Sequence, residues 1–337
     1  MAVRWMTLSI GLAMAGAACS PARAQSVADF YRGKTINVLI GVGVGGEYDL
    51  QARLVARHIG KHIPGNPNVV AQIMTGAGGI NMANHLFNAA PRDGTSIGMM
   101  GNNFPATQAV GGKQVKFDAG KFQWLGTIAP VVETMAVWHT TGVKSIDDLR
   151  KRETVAGASG RGAITFFYPT MMNEFLGTKF KIVTGYPGGN QINLAMERGE
   201  VEARNNTWSS WKATRPAWLK NKLITVVVQA GPRAPDLDAP SVEELARTPE
   251  DRRTIELIVS GTQLGRPLAT TPDVPADRLA ALRDAFRATM KDPEFLKDAK
   301  QMNFEVNPVY GETMQKIVEK VLSTPKDLVM RAKAILE

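Results

Sequence analysis

Four glycine-rich segments stand where short β-branched runs give way to helical patterns: Gly41-Val42-Gly43-Val44-Gly45-Gly46-Glu47-Tyr48-Asp49, Thr75-Gly76-Ala77-Gly78-Gly79, Ala158-Ser159-Gly160-Arg161-Gly162-Ala163 and Tyr186-Pro187-Gly188-Gly189. Glycine lets backbone approach a ligand closely, and the first N–H groups of the following helix have no partner within it. Each such turn can hold an anion without an arginine. One helix start contributes ~0.3–2 kcal/mol to a bound anion, so several converging starts with a fitted shape approach the ~8 kcal/mol of a micromolar complex. A single loop is better explained by tight turns and close helix packing. Four in matching positions favour a ligand.

Other chemistries fit less well. Gly41, Gly43 and Gly46 match a dinucleotide fingerprint, but no Asp or Glu lies between Asp49 and Asp93 to hold the ribose. Glu47 stands where a phosphate-binding P-loop needs Lys. His58 and His62 have the spacing of a metalloprotease helix without the glutamate between them, and read as ordinary helix-surface residues. Ser159 lacks a hydrolase elbow, and no His follows His139, so the Ser, acid, His order of that fold is impossible. No catalytic residue, cofactor or metal is expected. Asp49 either binds a ligand amide or hydroxyl or caps its own helix.

The elements around these loops belong to an ordinary globular chain of 337 residues, 44% hydrophobic and 21% charged. Arg4, the apolar run Trp5–Ala18 and Ala22-Arg23-Ala24 have the anatomy of a secretory signal cleaved after Ala24. The single cysteine, Cys19, lies inside it, so the remaining chain has no disulfide, Cys nucleophile or Cys metal site. Gly16-Ala17-Ala18-Cys19 is a poor lipoprotein box, with Gly16 where a Leu-like residue is wanted. Arg4 and Arg23 carry two of the nine excess positive charges, leaving +7 after cleavage. That balance suits anionic partners, yet the longest Lys/Arg run is only Arg150-Lys151-Arg152, and nucleic acid is not expected.

Ile36–Ile40, Val69–Met74 and Ser96–Met100 read as strands. Leu50–His62 and a run carrying Ala83, Leu86, Phe87 and Ala90 read as the helices between them. This β-α-β-α-β order makes a parallel sheet. After an irregular stretch at 104–122 the same grammar resumes: a strand at Thr134–Trp138, a helix capped by Ser145, short strands near Val155, Ile182, Val201 and Val226, and helices at 165–176 and 190–198. From Pro275 the chain is helical, with Leu279, Leu282, Phe286 and Met290 on one stripe.

At the loops the sequence resembles the substrate-binding proteins of tripartite tricarboxylate transporters, the Bug family of periplasmic receptors. The resemblance runs from Tyr31 to the C-terminus. It is carried by Tyr31-Arg32-Gly33-Lys34, Gly45-Gly46 with Asp49, Gly76-Ala77-Gly78-Gly79, Ala89-Ala90-Pro91-Arg92-Asp93-Gly94, Ser159-Gly160-Arg161-Gly162, Tyr186-Pro187-Gly188-Gly189 and Gly199-Glu200-Val201-Glu202. It implies an α/β, two-domain periplasmic binding protein, a Venus flytrap in which each domain is a mostly parallel sheet flanked by helices. Domain 1 would be residues 25–105 plus 262–337 and domain 2 residues 106–261, hinged near 103–106 and 258–264. It further implies a monomeric, periplasmic, non-enzymatic receptor that captures a small organic anion, a mono- or dicarboxylate, and delivers it to the membrane permease subunits of a tripartite transporter. A secreted enzyme on the same fold, or a receptor serving a membrane sensor, are the alternatives.

Carried over by position, the ligand-binding residues are Gly45, Gly46, Glu47, Tyr48, Asp49, Gly76, Ala77, Gly78, Gly79, Asn102 and Asn103 in the first domain. Those in the second are Ser159, Gly160, Arg161, Gly162, Ala163, Tyr186, Gly188, Gly189 and Asn205, with Asn206 and Thr207 beside it. Glu47 departs from the small residue of many relatives: either it points to solvent or it recognises an amino or hydroxyl group. Arg161 either pairs with a distal carboxylate or lies in solvent. Tyr48, Trp208 and Trp211 either stack on an aromatic acid or pack in the core or a lid.

Overall fold

The structure, a computed structural model, describes residues 25–336. The expected signal segment 1–24, with Cys19, lies outside the described residues.

A short helix α1 (Val27–Tyr31) precedes β1 (Thr35–Ile40), α2 (Glu47–Ile59), β2 (Asn68–Ile73), α3 (Ile80–Asn88), β3 (Ser96–Met99), α4 (Phe104–Ala109) and β4 (Gln123–Thr127). The chain then builds a second lobe from β5 (Glu133–Trp138), α5 (Ile146–Lys151), β6 (Thr154–Ala158), α6 (Ile164–Leu176), β7 (Phe180–Thr184), α7 (Gly189–Glu197), β8 (Ala203–Thr207), α8 (Trp208–Thr214), α9 (Pro216–Lys220), β9 (Ile224–Ala230) and α10 (Pro249–Val259). It returns through β10 (Leu268–Thr270), α11 (Ala276–Thr289), α12 (Pro293–Gln301), β11 (Val309–Tyr310) and α13 (Gly311–Leu322), and closes on α14 (Lys326–Leu336).

The strands form two sheets, ordered β11-β4-β10-β3-β1-β2 and β7-β6-β8-β5-β9. The βαβ units supply the parallel pairs, β1 with β2 and β3 and β6 with β7 and β8. The strands that carry the chain between lobes add antiparallel pairs, β10 with β3 and β4 and β5 with β8 and β9. In the first lobe α2, α11 and α12 pack on one face of the sheet and α3 and α13 on the other. A sheet covered on both sides wants continuous apolar strands, and β3 is accordingly buried along its whole length.

Local chemistry explains most element boundaries. Ser145 caps α5 in a full capping box with Asp148. Helix α2 begins at Glu47 instead of Leu50, because Gly46 is an extended N-cap and Glu47 and Asp49 complement the helix dipole in the first turn. The stretch 104–122 holds α4, opened by Pro105 in its first turn. The strand expected near Val201 begins two residues later, at Ala203.

Strand membership moves the first lobe boundary away from the expected division at 105/106, while the second, expected at 261/262, falls within the crossing at 260–264. Strand β4 pairs with β10 in the first sheet, so the first crossing is Ile128–Val132 and not 103–106, which opens α4. The second crossing, Ser260–Leu264, coincides with the expected hinge at 258–264. Helix α14 packs on α6 and α10 of the second lobe, so the C-terminus crosses once more at 323–325. The N–H of Val131 donates to the Thr262 carbonyl at 2.9 Å, fastening the first two crossings side by side. They run so close that a Cβ on Gly265, whose φ is +63°, would stand 2.0 Å from the Ala129 carbonyl oxygen.

Candidate functional site

The carboxyl ends of β1, β3, β6 and β8 face one another across the gap between lobes, and the glycine loops meet there. Gly76, Ala77, Gly78 and Gly79 all have positive φ, which turns the β2–α3 connection toward the second lobe. A Cβ on Gly78 would stand 2.7 Å from the Ala163 Cβ, and one on Gly188 would stand 2.9 Å from the Gly43 nitrogen. Hydrogen bonds cross the gap from the Gly43 N–H to the Pro187 carbonyl at 2.9 Å and from Asn103 Nδ2 to the Gly162 carbonyl at 2.8 Å. The lobes are closed on each other.

Between them lies a cavity of about 70 Å³, room for on the order of five waters or a small acid. Of the residues singled out from the sequence, Gly46, Glu47, Tyr48, Gly78, Gly79, Asn103, Ser159, Ala163, Gly188, Gly189, Asn205 and Asn206 line it. Gly45, Asp49, Gly76, Ala77, Asn102, Gly160, Arg161, Gly162 and Tyr186 do not. The Asp49 carboxylate is spent on the Gly45 N–H at 2.9 Å and on Arg53 at 2.7 Å, so it shapes the loop. Asn102 hydrogen-bonds Tyr48 and Glu133 behind the wall. Gly76 and Ala77 lead into the turn, and Gly160 and Gly162 press on Ala77 and Ile80 at the closure line. Arg161 lies over the Phe166 ring and borders a separate groove with Lys113 and Gln114. Tyr186 sits behind Gly157. Trp211 is buried beneath Arg204, and Trp208 is tied to Asp236 at 2.8 Å, so of the aromatic residues considered only Tyr48 reaches the cavity.

Glu47 takes neither orientation expected of it. It is 4% exposed, and its carboxylate is held by protein groups: Arg266 Nε at 2.9 Å, Thr207 Oγ1 at 2.5 Å, Ser209 Oγ at 2.5 Å and Gln51 Nε2 at 3.2 Å. Thr207 and Ser209 belong to the second lobe, so this first-lobe carboxylate fastens the two together. Arg266, between the second crossing and β10, also reaches Glu133 at 3.4 Å and the Tyr48 hydroxyl at 3.0 Å, with its guanidinium 4.2 Å above the Tyr48 ring. Burial opposes the charge on Arg266, but Tyr48, Glu47 and Glu133 outweigh it and hold the guanidinium above its usual value. Burial likewise raises the Tyr48 phenol, against the pull of Arg266. The cavity therefore shows a ligand no bare carboxylate at this end.

The opposite end holds what loop reading missed. Arg204 of β8 is 4% exposed and lines the cavity with Asn190 and Asn193, next to the expected Asn205 and Asn206. Its guanidinium donates to Asn193 Oδ1 at 2.7 Å and to the Gly189 and Asn205 carbonyls, and lies 5.3 Å from the Trp211 ring centroid. Burial pushes it down to about 9, and Arg215 and Arg266 add to that against Glu133. It remains charged at neutral pH. The sequence signal is the run of polar residues Arg204, Asn205, Asn206 and Thr207 in one short strand.

Away from the cavity, His58 and His62 are not plain surface residues. They pair with Asp298 of α12 at 3.0 Å and with Asp292, the N-cap of α12, at 2.9 Å. His58, Asp292 and Glu294 stand close enough to hold a cation, but the Lys61 ammonium already ion-pairs both carboxylates.

A crevice enclosed by two α/β lobes that the chain crosses between repeatedly decides the architecture. The fold is that of the periplasmic binding proteins. It is similar to the periplasmic binding protein BugD, with a TM-score of 0.73 and 19% identity over 90% of this chain and 99% of that one. It is similar also to Rpa4515 of R. palustris, solved with adipate (TM-score 0.70, 19% identity, 90% and 98% covered), and to MatC of Rhodopseudomonas palustris, solved with malate (TM-score 0.68, 16% identity, 88% and 99% covered). No family model matches the chain, and no curated protein matches it by sequence. Among the described residues, no helix of this binding-protein fold is long and apolar enough to cross a membrane.

Proposed function

We propose that this chain is an exported receptor that closes its two lobes over a small organic carboxylate and presents it to the permease of a tripartite tricarboxylate-type transporter. One observation carries the reading: the interlobe cavity is walled by the starts of α2, α6 and α7 together with a buried arginine, Arg204. First-turn N–H groups and a guanidinium are all donors, and what they share as a ligand is an anion. The bound adipate and malate of two proteins of the same fold agree with that class.

The ligand-contacting set is Gly46, Tyr48, Gly78, Gly79, Asn103, Ser159, Ala163, Gly188, Gly189 and Asn205. Glu47 serves closure instead. A reading of binding without turnover is supported by Ser159, whose Oγ faces Thr165 Oγ1 at 3.3 Å and not a base. The resemblance of the loops to Bug receptors supports the permease as partner and the periplasm as the place of action.

A thermal-shift titration with small organic acids tests this. Stabilisation should rise with the logarithm of acid concentration above Kd, as mass action requires, and the acid should be recovered unchanged. No shift with any acid, or consumption of one, would contradict the proposal.

A further inference from the structure

The four buried charges around the cavity are unevenly shared. Glu47 and Glu133 both pair with Arg266, while among the described residues no carboxylate pairs with Arg204. Arg215, on the same side, likewise finds an amide, Asn190 Oδ1 at 2.7 Å, and no acid. A buried cation without a counter-ion is costly, and such a group is retained where something else supplies the charge. Arg204 is rigidly held by Asn193, the Gly189 and Asn205 carbonyls and Trp211, but Nη2 donates to no described residue. Two positions along β8, and so on the same face of the strand, Asn206 Nδ2 is buried with no hydrogen-bond partner.

We propose that Arg204 and Asn206 form a side-chain subsite that pairs with one carboxylate of the ligand. Charge recognition at this end of the cavity then comes from β8, and the glycine loops contribute shape and secondary hydrogen bonds. The proposal rests on reading the cavity as a carboxylate site and deepens it: the ligand must place an unprotonated carboxylate against a fixed guanidinium. A guanidinium rejects the isosteric carboxamide, because the amide offers one acceptor and no charge.

The test compares acids with their own monoamides: lactate with lactamide, succinate with succinamate, and adipate with adipamate. Isothermal titration would be run on the full mature chain and on Arg204→Gln and Asn206→Asp, each checked for folding by circular dichroism. The wild type should prefer at least one acid over its amide by about 10- to 100-fold, the worth of a charge-assisted hydrogen bond in a buried site. R204Q should bind acid and amide within about 3-fold of each other. N206D, which places a carboxylate beside the guanidinium, should lose the acid while remaining folded; should R204Q not fold, this variant decides alone. A folded R204Q that keeps the wild-type preference, or an N206D that binds the acid as before, overturns the subsite. A wild type that binds none of the acids sinks the receptor reading itself, a different outcome.

Discussion

Ser209→Ala isolates the interlobe fastening of Glu47. The Ser209 hydroxyl donates to Glu47 Oε1 at 2.5 Å from across the cleft, and that oxygen keeps a second donor, Gln51 Nε2 at 3.2 Å, when the hydroxyl is gone. Glu47 Oε2 keeps Arg266 and Thr207, so no buried charge is orphaned. A hydrogen bond to a charged group is worth about 1.5–3 kcal/mol. Ser209 is only partly buried, and water reaching the vacated edge reduces the loss to about 1–2 kcal/mol. That is roughly a 5–30-fold shift of the closed–open equilibrium toward open.

Because ligand binds the closed form, apparent affinity falls with the closed fraction. Single-molecule energy transfer between dyes on the two lobes, without ligand, should show the open population grow by that factor. Titration of a bound acid should show Kd rise no further than it. Global stability should barely move, since the bond lies between lobes and not within one. An unchanged distance distribution in S209A, with unchanged affinity, would refute the claim that Glu47 holds the lobes together.

Gly78→Val should block closure, because φ at +68° disfavours a side chain and its Cβ would meet Ala163 at 2.7 Å. Small-angle scattering should then report an open molecule that added acid does not compact, with a stability loss of only about 1–3 kcal/mol. Arg266→Met leaves Glu47 and Glu133 buried without their cation and should cost about 3–5 kcal/mol in urea unfolding, far more than R204Q, which strands no carboxylate. The Lys61 hydrogen bond, against a smaller opposing effect of burial and with help from His62, holds the Asp292 carboxyl well below the usual carboxylate range. A depressed folded value gives stability that is complete above the ordinary Asp range near 4 and is lost as pH falls below it. Asp292→Asn should therefore flatten the acid limb of stability below about pH 4, read by chemical denaturation across pH.

Much of the fold was legible because it rests on local pattern. The β-branched run at Ile36–Ile40, the cap at Ser145 and the stripe through Leu282 and Phe286 each specify an element from neighbours in sequence. The crossing strands were not legible. Gln123–Thr127 carries no alternation that assigns it to one sheet, and its place is fixed by pairing with Leu268–Thr270, far along the chain. The site divides the same way. Glycine loops announce themselves by composition, and Gly46, Gly78, Gly79, Gly188 and Gly189 do line the cavity. Side chains whose role depends on a partner in the other lobe do not. Glu47 read as a misfit in its loop until Thr207, Ser209 and Arg266 came to meet it, and Arg204 read as one more residue of a strand until the lack of an ion-paired acid among the described residues set it apart. Arg161, conspicuous in its glycine loop, lies outside the cavity for the converse reason: its loop turns it toward Phe166.

Native mass spectrometry of the protein purified without refolding, beside R204Q prepared in the same way, tests the central claim most directly. One small carboxylic acid per chain should remain bound to the wild type and be missing from the variant. A bound nucleotide, metal ion or uncharged molecule, or the same acid retained equally by both proteins, would contradict the account.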